Sequence, residues 1–106
     1  MKIQLVYITT KNREEAQHIA TVLVGERLAA CANIVESIRS IYRWKGETHN
    51  DPEALLLVKT REDRVADLIK RARELHSYEC PCIVSLPISD GFAPFLNWVA
   101  EEVAAG

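Results

Sequence analysis

The sequence has no apolar run near the roughly 20 residues that a membrane-crossing helix requires. Its hydrophobic stretches are short and regularly broken by charge, so a membrane partner is not expected. Excess positive charge is also missing. Thirteen Lys and Arg face fifteen Asp and Glu, a formal net charge of −2, which supplies no field to recruit a nucleic acid. Cysteine is scarce and odd in number: Cys31, Cys80 and Cys82 have no disulfide-framework spacing, so reduced thiols are expected. No Gly-rich phosphate loop, nucleophile elbow or paired-carboxylate motif is present, and enzymatic activity is not expected. Met1 to Ile8 reads as a strand rather than a long apolar segment ahead of a small-residue cleavage site, which gives a cytoplasmic address as the expectation.

What is there is ordinary globular material. The 106 residues are 48% hydrophobic and 26% charged, enough for one core and one domain, 1–106. Residues 3–9 are rich in Ile, Val, Leu and Tyr and read as a strand ending at Thr9-Thr10-Lys11-Asn12. Asn12 with Glu15 resembles a capping box, and Ala16, Ile19, Ala20 and Leu23 follow at helical intervals, so a helix is predicted over about 13–25 with Gly25 near its end. From Ala29 to Trp44 the chain alternates, with Ala30, Ala32 and Ile34 on one side, until the phase breaks around Val35 and Ile38. That break predicts a long strand with a bulge. Lys45-Gly46-Glu47 supplies a turn, and the returning strand reaches Leu55-Leu56-Leu57-Val58, apolar on both faces as in a central strand.

Thr60 with Asp63 is read as the cap of a second helix carrying Val65, Leu68, Ile69, Ala72 and Leu75, which stops near His76-Ser77. Ile83 to Ile88 reads as a short strand with Pro87 at its end or at an edge. Asp90 is read as the cap of a last helix carrying Phe92, Phe95, Leu96 and Val99. The class is therefore α+β: a ferredoxin-like βαββαβ antiparallel sheet with a C-terminal helix and a long central hairpin. Hairpin arms of twelve or more residues overrun strands of six or seven, and the overhang carries Ile38, Ile41, Tyr42 and Trp44. A two-stranded ribbon with that much apolar surface is marginal alone. Burial against other copies of the chain is predicted, with these four residues at the interface.

Two functions common on this topology fail on the residues. An RNA-recognition domain needs stacking aromatics on its central strands, where this chain has aliphatic Leu55 to Val58. A heavy-metal chaperone domain would place C-x-x-C between the first strand and first helix, where Thr9-Thr10-Lys11-Asn12 stands.

Several segments together resemble the CutA family of divalent-cation tolerance proteins. They are Glu26-Arg27-Leu28-Ala29-Ala30-Cys31-Ala32-Asn33-Ile34, Ser40-Ile41-Tyr42-Arg43-Trp44-Lys45-Gly46-Glu47, Leu56-Leu57-Val58-Lys59-Thr60, His76-Ser77-Tyr78-Glu79-Cys80-Pro81, Leu86-Pro87-Ile88 and Phe95-Leu96-Asn97-Trp98-Val99. The resemblance implies a homotrimer of ferredoxin-like subunits, similar in architecture to the PII signalling proteins. It also implies a role in tolerance to copper and other divalent metals, with copper binding and no assigned reaction. The family's usual Pro-Glu after the tyrosine segment is here Pro81-Cys82, which replaces a hard oxygen with a soft sulfur and creates a C-x-C pair suited to Cu(I) or Zn.

The resemblance implies His76 and Cys31 as metal residues, and Cys80 and Cys82 join them on their chemistry. Each has a plainer reading: a buried small hydrophobe for Cys31, a helix-end imidazole for His76, and packing beside Pro81 for the C-x-C pair. Lys59, Thr60, Tyr78 and Glu79 are candidates for an intersubunit cleft, with Lys59 and Glu79 offering charge to a small ligand. Copper or another divalent cation is the expected ligand. The alternative is a PII-like signalling trimer that takes a small anion in the intersubunit cleft.

Overall fold

The computed structural model describes residues 2–105. The elements run β1 (Ile3–Thr10), α1 (Arg13–Gly25), β2 (Cys31–Trp44), β3 (Glu47–Arg61), α2 (Val65–Leu75), β4 (Ile83–Pro87) and α3 (Ala93–Glu102), with a 3₁₀ turn at Glu62–Arg64 ahead of α2. The four strands form one antiparallel sheet in the order β2-β3-β1-β4. The expected α+β arrangement, the bulge between Val35 and Ile38 and the edge position of Pro87 are all present.

Alternation along the strands gives the sheet two different faces. Val6, Ile8, Leu56 and Val58 are wholly buried against Ile19 and Leu23 of α1 and Leu68 and Ala72 of α2, and Ala32 and Ile34 pack on the same cluster. The alternate residues fall on the other face, where Leu5 pairs with Leu86, Tyr7 with Val84 and Val35 with Leu55. Val35, Val84 and Leu86 are 40%, 48% and 46% exposed. Among the described residues, only the end of this second face is covered: Val99 and Val103 join Ile3 and Ala30 in a separate cluster. Ala30, expected to share a side with Ala32 and Ile34, therefore belongs to the cluster at α3, because it precedes β2 and escapes its alternation.

Arg61 fastens that end. Its guanidinium donates to the carbonyls of Ala100 (2.8 Å), Val103 (2.9 Å) and Ala104 (3.2 Å), oxygens that the end of α3 leaves without helical partners. Asp63 pairs with it at 2.9 Å.

The expected span of α1 is present, and the caps of the other two helices correct two expectations. Gly25 is the last residue of α1, but the left-handed position is Arg27, at φ 59°. Leu28 N–H bonds Leu23 C=O and Arg27 N–H bonds Val24 C=O, the paired bonds of a Schellman stop. Thr60 does not cap α2: it is buried on β3, and its hydroxyl donates to Leu28 C=O at 2.7 Å. The intervening 3₁₀ turn moves the start of α2 to Val65, where Arg64 makes no side-chain cap bond. Among the described residues Asp90 accepts only from the neighbouring Gly91 N–H, while Phe92 occupies the cap position of α3, with Pro94 in its first turn.

Beyond Ala54, β3 pairs with β2 alone. Residues Glu47 to Glu53 and Ile38 to Trp44 form the overhang, at roughly 3.4 Å per residue about 24 Å long. Lys45 and Gly46, at φ 51° and 83°, make the two-residue turn that suits strand twist. Ile41, Tyr42 and Trp44 on this ribbon are 68%, 43% and 40% exposed, and Ile38 is half-buried.

Candidate functional site

Where the ribbon leaves the sheet, the segment after α2 folds back over the end of β1 and encloses a cleft of about 560 Å³. Its walls are Thr9 of β1, Tyr42 and Trp44 of β2, Glu53 of β3, and Ser77, Tyr78, Glu79, Cys80 and Cys82 of the returning segment. That volume lies within the range of small-molecule sites.

Register explains who meets whom. The bulge between Val35 and Ile38 shifts the phase of β2 and places Ile38 opposite Glu53, with Tyr42 opposite His49 and Trp44 opposite Glu47. Directly paired residues share a face, so Tyr42, Trp44 and Glu53 line the same side as Thr9. Tyr42 is fixed twice: its ring stacks on His49 with centroids 5.1 Å apart, and its hydroxyl donates to Asp51 at 2.7 Å. That bond, followed by burial, raises the phenol's pKa. Tyr78 donates to Glu53 at 2.7 Å, and burial first, then this bond, drives its pKa further above the ordinary phenol value. Both hydroxyls keep their protons at neutral pH.

His76 stands behind the cleft. Its ring is engaged on both sides: Nε2 lies 2.7 Å from Thr9 C=O and Nδ1 accepts from Tyr78 N–H at 3.1 Å. The carbonyl requires a hydrogen on Nε2, and the N–H requires a lone pair on Nδ1. Neither nitrogen is free for a metal in this conformation. The imidazole instead sets the path of residues 76–78, with the Tyr78 ring packed 4.8 Å away.

Glu15, read from sequence only as half of a capping box, completes this clamp. Asn12 does cap α1 by accepting from Glu15 N–H at 2.8 Å. The Glu15 carboxylate, however, accepts from Lys11 N–H (3.0 Å) and from Ser77 N–H (2.9 Å) and lies 3.9 Å from His76 Nδ1. Burial works against its charge, yet the Ser77 and Lys11 hydrogen bonds outweigh it and hold the carboxyl below its ordinary range.

The four thiol and imidazole candidates are not gathered at one point. Cys80 and Cys82 both face the cleft. Cys31, on β2, pairs with Lys59 of β3, four residues along that strand from Leu55, the partner of Thr9, roughly 13 Å away. Burial pushes the Cys82 thiol up in pKa, against a hydrogen bond with Thr9 and with help from Glu53; burial does the same to Cys31, opposed by Lys59. Among the described residues, no three His, Cys, Asp or Glu side chains gather closely enough to hold an ion.

The cleft candidates divide in the same way. Tyr78 and Glu79 line it, while Lys59 is bonded to Asn33 and Thr60 is turned into the core. Thr9, Glu53 and Ser77 are lining residues that sequence reasoning missed. Glu53 was in principle accessible, since counting back from the turn pairs it with Ile38 before the bulge is reached. Thr9 and Ser77 carry no local signal.

Residues 4–102 match the family described as CutA1 divalent ion tolerance protein. The chain belongs to the CutA1 family. It is 49% identical over 99 residues to the divalent-cation tolerance protein CutA of Thermus thermophilus, covering 93% of this chain and 96% of that one. Among solved structures it is similar to CutA1 from Oryza sativa, at a TM-score of 0.96 and 35% identity, covering 100% of this chain and 97% of that one. It is also similar to the periplasmic divalent cation tolerance protein CutA of Archaeoglobus fulgidus, at 0.92 and 38% identity over 96% and 99%. CutA1 relatives are thus named for tolerance rather than for a reaction. Among the described residues, no helix is long and apolar enough to cross a membrane.

Proposed function

We propose that this chain is a homotrimeric, non-catalytic protein of divalent metal ion tolerance in the cytoplasm, with copper as the ion handled. It works as a single domain, 1–106, of ferredoxin-like topology. One observation carries the metal reading: Cys80 and Cys82 converge with Glu53 and Glu79 on a single cleft, in a chain whose relatives are named for divalent cations. Soft thiolates favour Cu(I) over harder ions. A single chain does not supply three gathered ligands, so the C-x-C pair takes the ion either as two ligands or with a neighbouring subunit's help. His76 serves by positioning Tyr78, and Cys31 stands apart on the sheet. Because the Cys82 thiol is raised in pKa, copper affinity increases with pH as the proton is lost.

The trimer reading rests on the uncovered sheet face and on the ribbon. Val35, Val84 and Leu86 share a face with the exposed Tyr42 and Trp44, and Ile41 is exposed on the other side of the ribbon, so the ribbon carries uncovered apolar residues on both sides, as interaction surfaces do. Ile38, Ile41, Tyr42 and Trp44 would then meet neighbouring subunits, and the cleft would lie at a subunit boundary. No observation favours the PII-like reading, because the ionisable lining groups are carboxyls, thiols and phenols, none of them cationic, and Lys59 lies outside the cleft.

Native mass spectrometry of protein purified without added metal tests both parts. The expected result is three times the mass of one chain, with copper retained in Cys31→Ser and lost in Cys80→Ser/Cys82→Ser. A monomeric mass, or copper that survives the double substitution, would contradict the reading.

A further inference from the structure

The cleft is more elaborate than two thiols need. Three aromatic side chains, Tyr42, Trp44 and Tyr78, and two carboxylates, Glu53 and Glu79, line it, and no Lys or Arg is among the lining residues. A bare metal ion gains little from ring faces, since carboxylate oxygens and thiolate sulfurs do the binding. An anion is opposed by the carboxylates. Rings and carboxylates together match one chemistry, a cation that also carries apolar surface.

We propose that the cleft binds a small alkylated ammonium ion, with Tyr42, Trp44 and Tyr78 presenting their rings to its alkyl groups and Glu53 and Glu79 balancing its charge. The walls are held before any ligand arrives. Tyr42 is pinned by His49 and Asp51, and Tyr78 by Glu53, with His76 behind it. Tyr78 occupies Oε2 of Glu53, while among the described residues Oε1 has no hydrogen-bond partner and keeps its charge available. The chain already places an ammonium on one of these rings: Lys45 Nζ lies 5.7 Å from the Trp44 centroid, inside the usual limit for a cation–π contact. A cleft of about 560 Å³ has room for a ligand of this size.

The inference rests on the same cleft as the copper reading and shares its carboxylates, but it uses the rings in place of the thiols, so removing the thiols separates the two. The test is calorimetry on metal-free, full-length protein with choline as the probe, compared with dimethylbutanol, the neutral isostere in which carbon replaces the quaternary nitrogen. Choline is expected to bind saturably and the isostere roughly tenfold more weakly, the scale of one or two cation–π contacts. Glu53→Gln, which keeps shape and removes charge, is expected to weaken choline about tenfold. In a Trp98→Phe background, where Trp44 is the single indole, choline is expected to shift the emission. Cys80→Ser/Cys82→Ser is expected to leave choline affinity unchanged while removing copper. Equal binding of choline and its isostere, no saturable choline binding, or an unaltered affinity in Glu53→Gln would each overturn the proposal. Loss of choline binding in the double serine variant would overturn it as well, by assigning the anchor to the thiols.

Discussion

The two faces of the sheet are built from the same strands, yet one is finished within the chain and the other is not. Leu56 and Val58 are fully buried beneath α1 and α2, while their neighbours Leu55 and Leu57 are half-exposed on the face that α3 covers only at its end. A soluble sheet with one solvated face normally alternates apolar with polar residues. Here the second face is apolar as well, continues onto the ribbon, and ends at the cleft. The covered face therefore holds the subunit together, and the open face is the one that the proposed trimer and the proposed ligand site would use.

The sharpest way to break this comparison is to charge the open face. Val84→Glu/Leu86→Glu places two carboxylates on a surface that is already half-exposed in the single chain, so the subunit should keep its secondary structure. The proposed trimer should dissociate, with the mass by light scattering falling to about a third at micromolar concentration. An unchanged mass would show that this face is not the contact.

Adjacent residues of β3 sharpen the comparison further. Leu56→Ala removes packing from a fully buried position and should cost about 3 kcal/mol. Leu57→Ala, one residue on and pointing the other way, should cost less than about 1 kcal/mol in the dissociated Val84→Glu/Leu86→Glu background, where assembly no longer contributes. Urea unfolding of the two variants in that background measures the difference. Equal losses would mean that the second face is covered within the subunit after all.

The covered face was legible in the sequence because it obeys local periods. Ala16, Ile19, Ala20 and Leu23 at helical spacing and Leu55 to Val58 as a doubly apolar strand identify α1 and β3 directly. The overhang was legible from strand length, and the bulge from the lost phase between Val35 and Ile38. The caps were less so. Thr60 followed by Asp63 has the right spacing for a helix start, but the threonine hydroxyl found a buried carbonyl at Leu28, a partner 32 positions away that no local pattern encodes. The same holds for the cleft. Tyr78, Glu79, Cys80 and Cys82 were identified because they fall in one segment. Thr9 and Glu53 arrive from two other strands, Ser77 shares the segment but carries no ligand chemistry of its own to mark it, and Cys31 and Lys59 pair with each other on the sheet instead.

The smallest expected effect lies at the seam between the two regions, where Glu15 of α1 ties the cleft segment to the covered side. Its side chain is 7% exposed. Burial opposes the charge, but hydrogen bonds from Ser77 and Lys11 favour it more, and the carboxyl's pKa in the fold lies below the ordinary value of 4.5. A depressed folded-state pKa contributes stability that is fully present above the unfolded value and disappears as pH falls through the folded one. Glu15→Gln keeps the shape and one acceptor oxygen but abolishes the charge, so it should cost about 1 kcal/mol near neutrality. The gap between wild type and variant should hold down to the ordinary carboxylate range and close below it, as followed by urea unfolding from neutrality to about pH 3. A gap that stays constant through this range would mean that Glu15 clamps Ser77 by shape alone, without help from its charge.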